Sequence, residues 1–258
     1  MVSLLKYTGI VAVCGLVLAP AWAQDDAQPA EAPPADPVGW LDGWKGSVNA
    51  GLFGSEGNTE RLSATAILDA KREHTRWDTQ IRLLYSLARE DGDNSQNYFL
   101  ASARNDWKFG DSPWVFFAKG TFEYDEFQDW DQRVTLFAGP GYHFIRDDTT
   151  TLLGRVGAGV SKEFGSDDDE WKPELNIGAD FSHKIDSRQT FTASADYYPV
   201  LDGFPEYRAE FKAEYAVLLN DDNNMNLKIG ALDRYDSTPG LGFRRNDLDY
   251  YITIGWEF

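Results

Sequence analysis

The chain has 258 residues and carries 42 Asp and Glu against 24 Lys and Arg, a formal charge of -18 with a pI near 4.4. That balance argues against a nucleic-acid partner, because phosphate binding is driven by lysines and arginines. Mean hydropathy is -0.46 although 14% of the residues are aromatic, so apolar helices are not the expected route into a membrane.

Residues 1–23 read as a secretory signal peptide, with Lys6, an apolar stretch from Ile10 to Leu18, and the small-x-small triplet Ala21-Trp22-Ala23 before Gln24. The apolar stretch is shorter than the roughly 20 residues of a spanning helix. Cys14, the only cysteine, lies inside it, and Val13 is not the small residue that lipoprotein processing favours before a cysteine. The mature chain is therefore expected to hold no thiol, disulfide or cysteine metal site. Residues 24–43 open on QDDAQPAEAPPADPVG, which buries too little apolar surface to offset the entropy of ordering; a disordered acidic tether is expected.

From residue 44 to 258 the pattern is period two. In WKGSVNAGLF the set Trp44, Gly46, Val48, Ala50, Leu52 alternates with Lys45, Ser47, Asn49; next Leu62, Ala64, Ala66, Leu68 alternate with Ser63, Thr65, Asp69, with Ile67 as an exception. Side chains of a strand point alternately to its two faces, so each run is a strand with one apolar face. The pattern continues to the closing DLDYYITIGWEF, where Leu248, Tyr250, Ile252, Ile254 and Trp256 alternate with Asp249, Tyr251, Thr253 and Glu257. It predicts about twelve strands of about 8 to 12 residues, the length of tilted membrane-spanning strands. The connections after odd strands are longer, including AREDGDNSQ, DEFQDWDQ and DSTPGLGFRRND, and those after even strands are tight, including EHT, RDDTT and KIDSR.

An even strand number with short turns at one rim predicts an all-β fold, an antiparallel up-and-down transmembrane barrel over 44–258. A soluble sandwich would also alternate, and three features favour the inside-out arrangement. Aromatic residues gather near both ends of the apolar face, as at two membrane interfaces. The other face is heavily charged with nearly cancelling signs, its candidate lumen-lining residues being Arg82, Arg104, Arg133, Arg155, Arg208, Glu210, Lys212 and Glu214. The third is the end, where Tyr250, Ile252, Ile254, Trp256 and Phe258 resemble the assembly signal of bacterial outer-membrane proteins.

GLFGSEGNTE, GPGYHFIRDDTTTLLGRVGAGV, FPEYRAEFKAEYAVLLND and NDLDYYITIGWEF also resemble the salt-induced outer-membrane proteins grouped as domain of unknown function 481, over roughly 44 to 258. The resemblance implies a barrel in the bacterial outer membrane and a link to salt or osmotic stress; it implies no catalytic residues.

Gly57-Asn58-Thr59 suits a ligand contact at the outer rim, or a turn needing positive φ, the favoured reading. Asp167-Asp168-Asp169-Glu170 suits a hard cation or lipopolysaccharide bridge, but lacks the spaced ligands of a dedicated loop. His74, His143 and His183 are not paired at metal-ligand spacing, and His143 is expected in the lumen. A lipid-modifying enzyme lacks a lipid-facing histidine beside a serine. No cofactor, metal or catalytic set is expected. The expected partners are outer-membrane lipid, lipopolysaccharide and the barrel assembly machinery. The leading functional expectation is a narrow or occluded channel, or an envelope protein; a structural or adhesion barrel with cation-binding loops is the alternative.

Overall fold

The computed structural model describes residues 42–55, 60–166, 169–202, 206–220, 222–240 and 242–258. The expected signal peptide, nearly all of the tether, Gly57-Asn58-Thr59, Asp167 and Asp168 lie outside the described residues. The elements are β1 (Trp44–Ser55), β2 (Arg61–Glu73), β3 (Trp77–Glu90), β4 (Asp93–Lys108), β5 (Trp114–Asp125), β6 (Gln132–Arg146), β7 (Thr150–Phe164), β8 (Lys172–Lys184), β9 (Gln189–Pro199), β10 (Tyr207–Asn220), β11 (Met225–Asp236) and β12 (Asn246–Glu257). Each pairs antiparallel with its sequence neighbours, and β12 pairs with β1 to close the barrel. Closure matters physically, since every backbone polar group at membrane depth needs a partner and an open sheet edge would leave a row of them bare.

The faces are inverted relative to a soluble protein. Glu174, Asn176 and Asn226 are at most 2% exposed inside the barrel, whereas Leu248 and Ile252 outside it are 60% and 65% exposed. An apolar outer face of this kind suits acyl chains rather than water, and no helix of the described residues is long and apolar enough to cross a membrane. Aromatic pairs bracket the outer belt. At the short-turn rim Trp114 meets Tyr142 at 5.0 Å and Trp107 meets Phe116 at 6.0 Å; at the long-loop rim Tyr207 contacts Tyr197 at 5.3 Å and Tyr235 at 5.6 Å.

The seam shows what the last residue does. Ser47 to Ala50 pair with Glu257 to Ile254. One step further, the Phe258 amide donates to the Gly46 carbonyl at 2.9 Å and the Gly46 amide to the Phe258 carbonyl at 3.0 Å. A Cβ at Gly46 would lie 2.1 Å from the Asp69 carbonyl oxygen and 2.9 Å from the tip of the Phe258 ring, so the glycine admits both the β2 backbone and that ring. Tyr250, Ile252, Ile254 and Trp256 all point outward, at 48% exposure or more.

Two expectations are corrected. The strands run 11 to 16 residues, longer than 8 to 12, because pairing continues past the apolar belt into segments read as loop. Within AREDGDNSQ only Asp91 and Gly92 turn the chain, with φ of 51° and 92°. That is the backbone of a type I′ hairpin, for which Asp-Gly is a preferred pair. Polar contacts hold the extended hairpin, including Arg61 to Glu90 at 2.8 Å and the Arg89 Nε donating to Asn94 at 2.9 Å. At the other rim one device recurs. Asp147 Oδ1 accepts from the amides of Thr149 and Thr150, and Asp186 Oδ1 from those of Arg188 and Gln189. The three donors around Asp147, these two amides and the Thr149 hydroxyl, hold its carboxyl below the usual carboxylate range.

Candidate functional site

Among the described residues, chemistry is concentrated in the lumen. Because charged residues sit at alternate positions of twelve strands, closure turns their side chains toward one another, and burial without a partner would be costly. The barrel answers with ion pairs that cross it. Arg82 on β3 reaches Asp69 on β2 at 2.9 Å and Glu214 on β10 at 3.2 Å, and donates to the Tyr251 hydroxyl of β12 at 3.1 Å. Lys228 on β11 adds a bond to Asp69 at 2.7 Å.

On the facing wall Arg155 of β7 is the centre of a second group. It binds Asp180 at 2.9 and 3.1 Å, Asp196 at 3.2 Å and the Asn176 carbonyl at 3.4 Å, with 1% of its side chain exposed. Arg104 on β4 reaches Asp180 on β8 at 2.6 Å, and Lys119 on β5 reaches Asp196 on β9 at 3.1 Å. Both span four steps round the wall. Arg208 on β10 binds Glu174 on β8 at 2.8 Å.

Towards the long-loop rim Arg234 on β11 spans six steps, to Asp125 on β5 at 3.4 Å, and binds its neighbour Asp249 at 2.9 Å. Its guanidinium lies 4.0 Å from the centre of the Tyr98 ring, a cation–π contact. Arg133 pairs with Glu163 at 2.5 Å and with Asp236 at 3.5 Å, under Trp130 at 4.2 Å. A cavity of about 30 Å³ remains at this mouth, lined by Glu123, Arg133, Arg208, Glu210 and Arg234 among others.

All eight candidate residues, Arg82, Arg104, Arg133, Arg155, Arg208, Glu210, Lys212 and Glu214, occupy lumen positions. On β10 the alternating signs do not pair along the strand. Arg208 and Glu214 bind partners on other strands, while Glu210 and Lys212 have no ion-pair partner among the described residues.

Sequence reasoning missed the apolar part of the lumen. Ile67, Leu84, Tyr98 and Tyr251 form one buried cluster, and Phe117, Phe137 and Tyr198 a second. Both narrow the bore. The signal was present in Ile67, which breaks the alternation of β2, and in Phe116-Phe117, which places rings on both faces of β5. His143 holds a half-buried lumen position beside a β6 irregularity, its Nδ1 without a hydrogen bond. His74 stacks on Trp77 at 5.0 Å, and His183 Nδ1 lies 2.9 Å from the Thr150 hydroxyl. Among the described residues no group of three or more His, Cys, Asp or Glu could hold a metal ion. Asp169 pairs with Lys162.

The family model described as "Protein of unknown function, DUF481" matches residues 48–258, which is the barrel. The chain belongs to this family. Among curated proteins, none matches it in sequence. Among solved structures, the NanC porin aligns with a TM-score of 0.50 at 10% identity, over 82% of this chain and 98% of that one. The COG4313 outer membrane channel from Pseudomonas putida F1 aligns at 0.46 and 10%, over 88% and 100%, and the KdgM porin at 0.44 and 8%, over 83% and 99%. At such identities the first of these likenesses bears on fold alone, and the fold it shares is the closed antiparallel β-barrel.

Proposed function

We propose that this barrel is a narrow, non-enzymatic conduit through the bacterial outer membrane, its bore set by side chains that cross the lumen. The observation that carries the reading is the span of Arg104–Asp180, Lys119–Asp196 and Arg234–Asp125, which tie together strands that are not neighbours, the last of them across the full width of the barrel. Twelve strands enclose more room than a filled eight-stranded barrel and less than an open porin. Long charged side chains and two aromatic clusters take up much of it, leaving a passage for ions and small polar solutes.

Outer-membrane lipid and lipopolysaccharide are the partners of the outer belt in this reading. Tyr250, Ile252, Ile254, Trp256 and Phe258 act as the signal recognised by the barrel assembly machinery, and the solute passage serves the response to salt or osmotic stress. Ion flux from proteoliposomes tests the conduit. Flux above that of protein-free vesicles is expected, whereas tight vesicles at verified barrel incorporation would favour a purely structural wall protein. Growth of a deletion strain at high salt tests the stress link, with unchanged growth counting against it.

A further inference from the structure

The seam between β1 and β12 is zipped over only part of its height. Its ladder ends at Ala50 and Ile254, although β1 stays paired with β2 up to Ser55 and β12 with β11 up to Asn246. At Gly51 the two strands still touch, since a Cβ there would collide with the Ile252 carbonyl oxygen. Nearer the long-loop rim, residues 52–55 of β1 and 246–251 of β12 have no pairing across the seam among the described residues. The side chains show the same parting. Ser47 and Asn49 place the odd positions of β1 inside the barrel at 5% and 1% exposure, yet Phe53 is 63% exposed. Among the described residues six large apolar or aromatic side chains are at least 60% exposed, and five of them flank this cleft: Leu52, Phe53, Leu248, Tyr250 and Ile252.

Two sheet edges therefore stand bare, each offering unpaired N–H and C=O groups beside apolar side chains. Lipid covers such side chains but leaves the backbone groups without partners, whereas another strand satisfies both. The directions of the edges select which strand. β1 runs towards the long-loop rim and β12 away from it, so a single strand inserted between them lies parallel to one of the two. A second copy turned by half a rotation about the membrane normal brings its β12 antiparallel to β1 and its β1 antiparallel to β12. Both edges are then paired in one isologous contact.

We propose that two copies of this barrel associate through the open part of the seam, residues 51–55 of each β1 pairing with residues 249–253 of the other copy's β12. The five exposed side chains of one cleft are then covered by those of the other. The contact lies in the wall and is independent of the conduit reading.

Disulfide trapping in membranes tests it. Continuing the register sets Leu52 opposite Ile252, and opposite residues of an antiparallel pair lie within disulfide reach. Both side chains are exposed on the outer face, so replacing them leaves the lumen intact. The only cysteine is Cys14, removed as Cys14→Ser in every chain. Leu52→Cys and Ile252→Cys are placed on separately tagged full-length chains, co-expressed and oxidised. The expected product is a disulfide-linked dimer with both tags, at least about fivefold more abundant than from chains carrying Val48→Cys and Trp256→Cys, positions that pair within one barrel. The heat-modifiable band of each variant verifies folding. An absence of mixed-tag dimer from folded chains, which would mean a cleft lined by lipid, overturns the proposal. Equal yields from the two pairs, the mark of random collision, overturn it as well. So does an internal disulfide in a monomer when Leu52→Cys and Ile252→Cys share one chain, because the seam would then zip shut by itself.

Discussion

Replacing Arg155 with methionine removes the guanidinium while keeping an unbranched stem of similar length to the arginine's own. In the native lumen that group makes two bonds to Asp180, one to Asp196 and one to Asn176, almost wholly shielded from solvent. Removing one partner of a buried ion pair costs about 3 to 5 kcal/mol, because the remaining charge keeps its desolvation penalty. Here the loss is partly covered. Arg104 still holds Asp180 at 2.6 Å, and Lys119 and Asn176 still hold Asp196 at 3.1 and 2.8 Å. Asp180 also keeps 29% of its side chain exposed, so hydration returns some of the rest. The expected cost is the low end, about 3 kcal/mol, or about a hundredfold in the folding equilibrium. Urea titration of the barrel folded in lipid vesicles, followed by tryptophan fluorescence, measures it. Adding Asp180→Asn should recover part of the loss, since residues of one network couple. A loss below about 1 kcal/mol for the single variant would show that Arg155 is not central to the lumen, and would refute the reasoning.

Other perturbations reach other parts of the structure. Deleting Phe258 removes the final backbone pair with Gly46, and the expected outcome is a reduced fraction of heat-modifiable, folded barrel in membranes; wild-type assembly would contradict its closing role. Gly92→Val places a branched side chain at a φ of 92°, so a loss of at least about 1 kcal/mol is expected in the urea titration. An unchanged midpoint would argue against the type I′ turn. Asp147 is held below the usual carboxylate range by donors in its turn. A depressed carboxylate stabilises above its unfolded value, near about 3.9, and that contribution is lost as pH falls through the folded one. A carboxyl carbon titration by NMR should place its midpoint below that of an unstructured aspartate, and a midpoint at or above it would contradict the turn geometry.

Much of the wall was legible in the chain because its determinants are local. Val48, Leu52, Ile252 and Ile254 alternate with polar residues, and alternation alone assigns them to one face. The Asp91-Gly92 turn was legible too, but its signal was swamped by the polar residues around it, which read as loop and in fact extend β3 and β4. The lumen was only half legible. Parity places Arg234 inside, yet its choice of Asp125, 109 residues away, depends on which strands face each other after closure. The same choice turns Arg234 away from Glu210, its register neighbour on β10, which no strand-by-strand pattern could reveal. Phe117, Phe137 and Tyr198 were hidden for a different reason, since the charged residues of their own strands made the inner face look uniformly polar.

The central claim is that residues crossing the lumen set its bore, and single-channel recording in planar bilayers tests it most directly. Wild-type barrel should give small steps, and Arg82→Ser with Arg234→Ser, which removes two crossing side chains, should raise the step size at least about twofold. Wide, porin-like steps in the wild type, left unchanged by the double variant, would contradict the account.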